Sequence, residues 1–127
     1  MLGCGRKNGF TLIELLVVMA IVSLLVSIVA PKYFNSVSKA EEAVLRENLF
    51  LIRDALDHYK ADVGVYPDNL QDLVSRKYLR KMPYDPVAKS DKKWIFIPPP
   101  ELSNGKVYDV KSGAPGKSLN GSSYASW

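Results

Sequence analysis

One carboxylate stands out as the side chain placed to do something beyond folding. Glu14 lies inside the run from Phe10 to Ala30, where 17 of 21 residues are apolar. An acid carried to the centre of a bilayer costs about 2.5–3.5 kcal/mol or more. Two ways out are open. Glu14 stays at headgroup level or takes up a proton, or it meets a defined cation. No Lys or Arg lies within helical reach inside the run. A cut after Gly9 would expose a new ammonium on Phe10, and that group could neutralise the Glu14 of a neighbouring copy.

The other candidates for chemistry are weaker. The single histidine, His58, follows Asp54 by four residues, the spacing of a solvated contact on a helix face. No Ser-His-Asp order, paired carboxylates in an apolar setting, phosphate-cradling glycine loop or histidine cluster accompanies it, so no enzyme is expected. A formal charge of +4 and a pI near 9.2 raise the question of nucleic acid. The best basic cluster, Lys89, Lys92 and Lys93 beside Trp94, is sparse and reads as a solvated face. The one cysteine, Cys4, excludes a disulfide scaffold and a cysteine-based zinc site. Leu2-Gly3-Cys4 has no apolar stretch before it, so lipidation there is not expected.

These residues need elements to place them. As a helix, Phe10–Ala30 would rise roughly 31 Å, against a hydrocarbon core of about 30 Å. A cleaved secretory signal fits less well: the run exceeds the usual h-region, and Pro31 is followed by Lys32, Tyr33 and Phe34 rather than small residues. Arg6 and Lys7 place the N-terminus in the cytoplasm, although Lys32 and Lys39 at the far end weaken that bias. Pro31 removes a helical donor and predicts a break.

Beyond it, Asn35 to Asp62 is helical in period. Val37, Ala40, Val44, Leu51, Ile52, Ala55, Tyr59 and Val63 are its expected core stripe, with Glu42–Arg46 and Arg53–Asp57 as exposed i,i+4 pairs. Gly64 predicts the stop. Asp68 and Gln71 read as a capping-box variant opening a short helix with Leu70, Leu73 and Val74 inside. A proline-bounded loop, Tyr78 to Pro86, follows. Trp94–Ile97 predicts a strand ended by Pro98-Pro99-Pro100. Asn104-Gly105 predicts a turn, and Val107–Val110 a second strand. The segment Ser112–Trp127 is expected to fold back through Leu119, Tyr124 and Trp127. The class is therefore α+β, a long N-terminal helix, membrane-spanning first and amphipathic second, packed on a small antiparallel sheet. About 93 residues past the apolar run suffice for a small core but not for a large multi-substrate enzyme, and a single run excludes a polytopic channel.

Gly9-Phe10-Thr11-Leu12-Ile13-Glu14 behind a short basic leader resembles the class III signal of type IV pilins and type II secretion pseudopilins. Asp62-Val63-Gly64-Val65-Tyr66-Pro67 and Tyr78 to Pro86 resemble the turn motifs of the G-type major pseudopilins. The resemblance implies a pilin-like fold with residues 1–9 as leader, 10–30 as membrane and filament-core helix, and 31–127 as a periplasmic domain. It implies cleavage between Gly9 and Phe10 by a prepilin peptidase and N-methylation of Phe10. The mature chain would hold 118 residues, no cysteine, and fifteen basic against thirteen acidic side chains. In filaments of this family the stretch around Pro31 is often extended.

The implied function is that of a structural pseudopilin in the inner membrane. It would polymerise with itself and with other pseudopilins, on an assembly platform, into a periplasmic filament that drives export across the outer membrane. Phe10 and Glu14 would be the assembly pair. The alternative is a type IV pilus pilin for adhesion, motility or DNA uptake. The family also implies a calcium loop opened by Tyr-Asp-x-x-Ser, which Tyr108–Ser112 matches. The rest departs, since Ser118 to Trp127 carries no carboxylate side chain. Asp109, Asn120 and backbone carbonyls are the only calcium candidates, and no cofactor is expected.

Overall fold

The structure is a computed structural model that describes residues 9–101 and 105–127. The leader residues Cys4, Arg6 and Lys7, and Asn104 of the expected turn, lie outside the described residues. The principal element is α1, Leu12–Val63, a helix of 52 residues. The chain forms two compact units, Met1–Val37 and Ser38–Trp127, and α1 contributes to both.

Of the kink or local unwinding expected at Pro31, the unwinding does not occur, because α1 is helical on both sides of it and through it. Proline removes one ladder donor, the one that would meet the carbonyl of Ser27. The ladder before and after outweighs that single loss. Just upstream, the Ser23 and Ser27 hydroxyls donate to the carbonyls of Met19 and Ser23, each at 2.7 Å. Bonding of this kind keeps short polar side chains satisfied inside an apolar helix. The end of α1 is as expected. Gly64 has a φ of +91°, a conformation that glycine adopts without steric cost. Its N–H donates to the Lys60 carbonyl at 2.9 Å.

In the second unit α1 buries Glu42, Leu45, Leu49, Ile52, Ala55, Leu56 and Tyr59. Of the expected stripe, Ile52, Ala55 and Tyr59 are in the core, whereas Val37, Val44, Leu51 and Val63 are exposed. The helix carries two apolar faces at helical spacing, and the chain covers the one led by leucine. The apolar ones among them and Tyr59 form one cluster with Leu70, Leu73, Trp94, Val107, Val110 and Tyr124. The short helix α2, Gln71–Ser75, has no side-chain cap on its first turn from Asp68. Asn69 acts instead, its Oδ1 accepting from the Asp72 N–H at 3.0 Å.

Strand β1, Trp94–Ile97, lies where expected and pairs antiparallel with β2, Asp109–Ser112, from Trp94 opposite Ser112 to Ile97 opposite Asp109. The second strand starts two residues later than its sequence predicts. The reason is local: the N–H groups of Lys106 and Val107 are both taken by the Pro67 carbonyl. Gly105 makes that approach possible, since a Cβ there would lie 1.9 Å from the Tyr66 carbonyl oxygen. The final segment folds back through Tyr124 and Trp127, whereas the Leu119 side chain stays exposed. Tyr124 is buried, and Tyr124–Ser126 forms a turn of 3-10 helix.

Candidate functional site

The first unit is a helix with no inner side. No residue of its most apolar window is buried, and Phe10, Leu12 and Ile13 are 88, 75 and 70% exposed. Monomeric soluble proteins do not leave contiguous apolar patches on this scale without a partner. The window is long and apolar enough to cross a bilayer.

Glu14 sits on this helix, exposed, beside Phe10, Ile13, Val17 and Val18. It also has a local role that the sequence reading missed. Thr11 and Glu14 form a reciprocal cap, with the Glu14 N–H donating to Thr11 Oγ1 at 3.2 Å and the Thr11 N–H to Glu14 Oε2 at 3.4 Å. The signal was present as Thr11-Leu12-Ile13-Glu14, the S/T-x-x-E pattern. The second of these bonds is long, so the carboxylate is aimed along the start of the helix and weakly held. Gly9 is not required by packing, because a Cβ there would meet nothing within 4 Å.

The remaining sequence candidates are dispersed. His58 Nδ1 lies 2.8 Å from the Asp54 carbonyl and 3.5 Å from its carboxylate, on the exposed side of α1. The backbone bond to Asp54, and then its charge, raise the His58 pKa above the ordinary 6.5. This is the solvated contact that the spacing indicated. Trp94 is buried, and its indole donates to the Pro83 carbonyl at 3.0 Å. The ring beside Lys89, Lys92 and Lys93 is therefore core and offers no face for stacking bases.

Both calcium candidates already accept hydrogen bonds from protein donors. Asp109 Oδ1 already accepts from Arg53 Nε at 2.9 Å and from the Val110 N–H at 2.8 Å. Asn120 Oδ1 accepts from the Ser122 N–H and hydroxyl, at 3.0 and 2.6 Å, and from the Ser118 hydroxyl. Each is the centre of a different set of donors. Among the described residues no three His, Cys, Asp or Glu side chains gather to hold a metal.

Three residues with structural tasks escaped the sequence reading. Glu42, assigned to an exposed pair, is buried, and its Oε1 accepts from the Leu119 N–H at 2.9 Å and the Tyr124 hydroxyl at 2.8 Å. Arg53 reaches β2 and the last residue. Asp85 is fully buried and takes the N–H groups of Val87 and Ala88, both at 2.9 Å, together with the Ser112 hydroxyl. Its place between Pro83 and Pro86 was the available signal.

Residues 4–30 match the prokaryotic N-terminal methylation motif. The chain is 35% identical to the type II secretion system core protein G of Klebsiella pneumoniae over 97 residues, 64% of this chain and 69% of the relative. It is 28% identical to that of Escherichia coli over 126 residues, covering 87 and 83% of the two. To that of Pseudomonas aeruginosa it is 33% identical over 97 residues, covering 64 and 68%. No solved structure gives a significant match.

Proposed function

The chain belongs to the family of the type II secretion system core protein G, and from that premise we propose that it is a structural pseudopilin whose bare helix is buried only on assembly. It is anchored in a membrane by the apolar half of α1 and works with other pseudopilins of a secretion system. In finer detail, the leader is cut between Gly9 and Phe10 at the cytoplasmic face of the inner membrane, and Phe10 is N-methylated. Arg6 and Lys7 hold the leader inside, and residues 31–127 face the periplasm. Each new subunit enters the filament when its Phe10 ammonium meets the Glu14 of its neighbour. Away from water, that pair attracts far more strongly than it would in solution. No reaction is catalysed, and the work of the chain is mechanical.

The observation that carries this reading is the coincidence of a wholly uncovered apolar helix with one carboxylate near its start. The test is Glu14→Ala expressed with the native assembly machinery. The variant is expected to be inserted and processed, with mass spectrometry finding a methylated Phe10 at its N-terminus, yet to form no filaments. Filaments at wild-type abundance would overturn the pairing, and mature protein still beginning at Met1 would overturn the processing.

A further inference from the structure

We propose that the Arg53 guanidinium is a built-in cation that closes the C-terminal segment onto α1, so that this pseudopilin completes its fold without calcium. Calcium gathers hard oxygens, carboxylate and backbone carbonyl together. Arg53 gathers the same mixture. Its Nε donates to Asp109 Oδ1 at 2.9 Å, and its Nη2 to the carbonyls of Val110 at 3.0 Å and Trp127 at 2.5 Å. One carboxylate and two main-chain oxygens, from β2 and from the end of the segment, are thus drawn to one permanently charged, planar donor.

A divalent ion would gain little here. The carboxylate that it needs is already paired with the guanidinium, which would repel it, and residues 118–127 supply no acidic side chain. The turn that a metal would otherwise organise is organised by Asn120, through Ser118 and Ser122. A second fastening lies eleven residues earlier on α1, where Glu42 holds the Leu119 N–H and the Tyr124 hydroxyl. Between the two, Trp127 packs edge-on to Tyr124, ring centroids 5.1 Å apart, and under the Arg46 guanidinium at 4.3 Å. Neither fastening depends on the filament, so this inference can fail while the assembly reading stands, and the reverse.

The test uses the full mature chain in detergent, with amide hydrogen exchange read at Leu119 and Tyr124 in chelator and in millimolar calcium chloride. Wild-type protection is expected to agree within about twofold between the two conditions, while Arg53→Gln loses about tenfold or more in both. Arg53→Lys, which keeps the charge but not the planar fork, is expected to fall between them. A rise of about tenfold or more in wild-type protection on adding calcium would overturn the proposal. So would wild-type protection in Arg53→Gln. The wild-type comparison decides the calcium question even if a variant fails to fold.

Discussion

Residues 12–37 and 38–63 are two stretches of one helix, each with apolar surface to hide. The second finds its cover inside the chain, where Leu45, Leu49, Ile52 and Leu56 are at most 2% exposed. The first finds none, and every residue of its most apolar window is bare. Local preference for helix is common to both, so helicity does not separate them. What separates them is where the complementary surface resides: in the folded domain for one, in lipid and neighbouring subunits for the other. A helix can therefore be specified by sequence along its whole length while only part of it is specified as a monomer.

The comparison is broken most severely by disturbing the polar centre of the self-sufficient half. Asp85→Ala strands one buried and one partly buried N–H group and a buried hydroxyl. At 1–3 kcal/mol for each unmade bond, with partial relaxation, a loss of about 4 kcal/mol is expected in denaturant unfolding. Leu49→Ala should cost about 3 kcal/mol through the lost contact and the cavity left behind. The same change at Leu16 sharpens the contrast, since it should alter domain unfolding by less than about 0.5 kcal/mol. Equal effects at the two leucines would erase the distinction drawn here.

A smaller effect is reserved for alkaline pH. Burial, and then the hydrogen bond to Glu42, push the Tyr124 hydroxyl up from 10.0 to about 12. Its neutral form is the one favoured by folding, so the stabilisation is complete below pH 10 and is lost as pH rises toward 12. Ultraviolet titration of the seven tyrosines should show Tyr124 ionising last, behind Tyr66 and Tyr78, which are also raised, and Glu42→Ala should bring it closer to them.

Much of this was legible in the residues. The apolar run, its length, Glu14, Gly64 as a helix stop and β1 followed from composition and spacing alone. The errors share a cause. Val37, Val44 and Leu51 have the period of a buried face, but so do Leu45, Leu49 and Leu56, and only tertiary contact chooses between two faces of one helix. Glu42 and Arg53 looked like members of surface pairs because their neighbours at i+4 have opposite charge. Their actual partners lie 56 to 82 residues away, beyond any local pattern. At Pro31 the helix does not unwind, because one missing donor is outweighed by the ladder on both sides. The Thr11–Glu14 cap was readable and was obscured by the stronger question of what neutralises the acid.

Glu42 meets Tyr124 across 82 positions, and Arg53 meets Trp127 across 74. At ordinary rates of synthesis the leucine face of the helix leaves the ribosome roughly 4–15 s before the residues that latch over it. Through that interval the leucine face lacks the cover that the rest of the chain supplies. Closure of so distant a loop is slow compared with helix formation. The arrival of Trp127 therefore marks the moment when the rod becomes a subunit with a finished end and a waiting one.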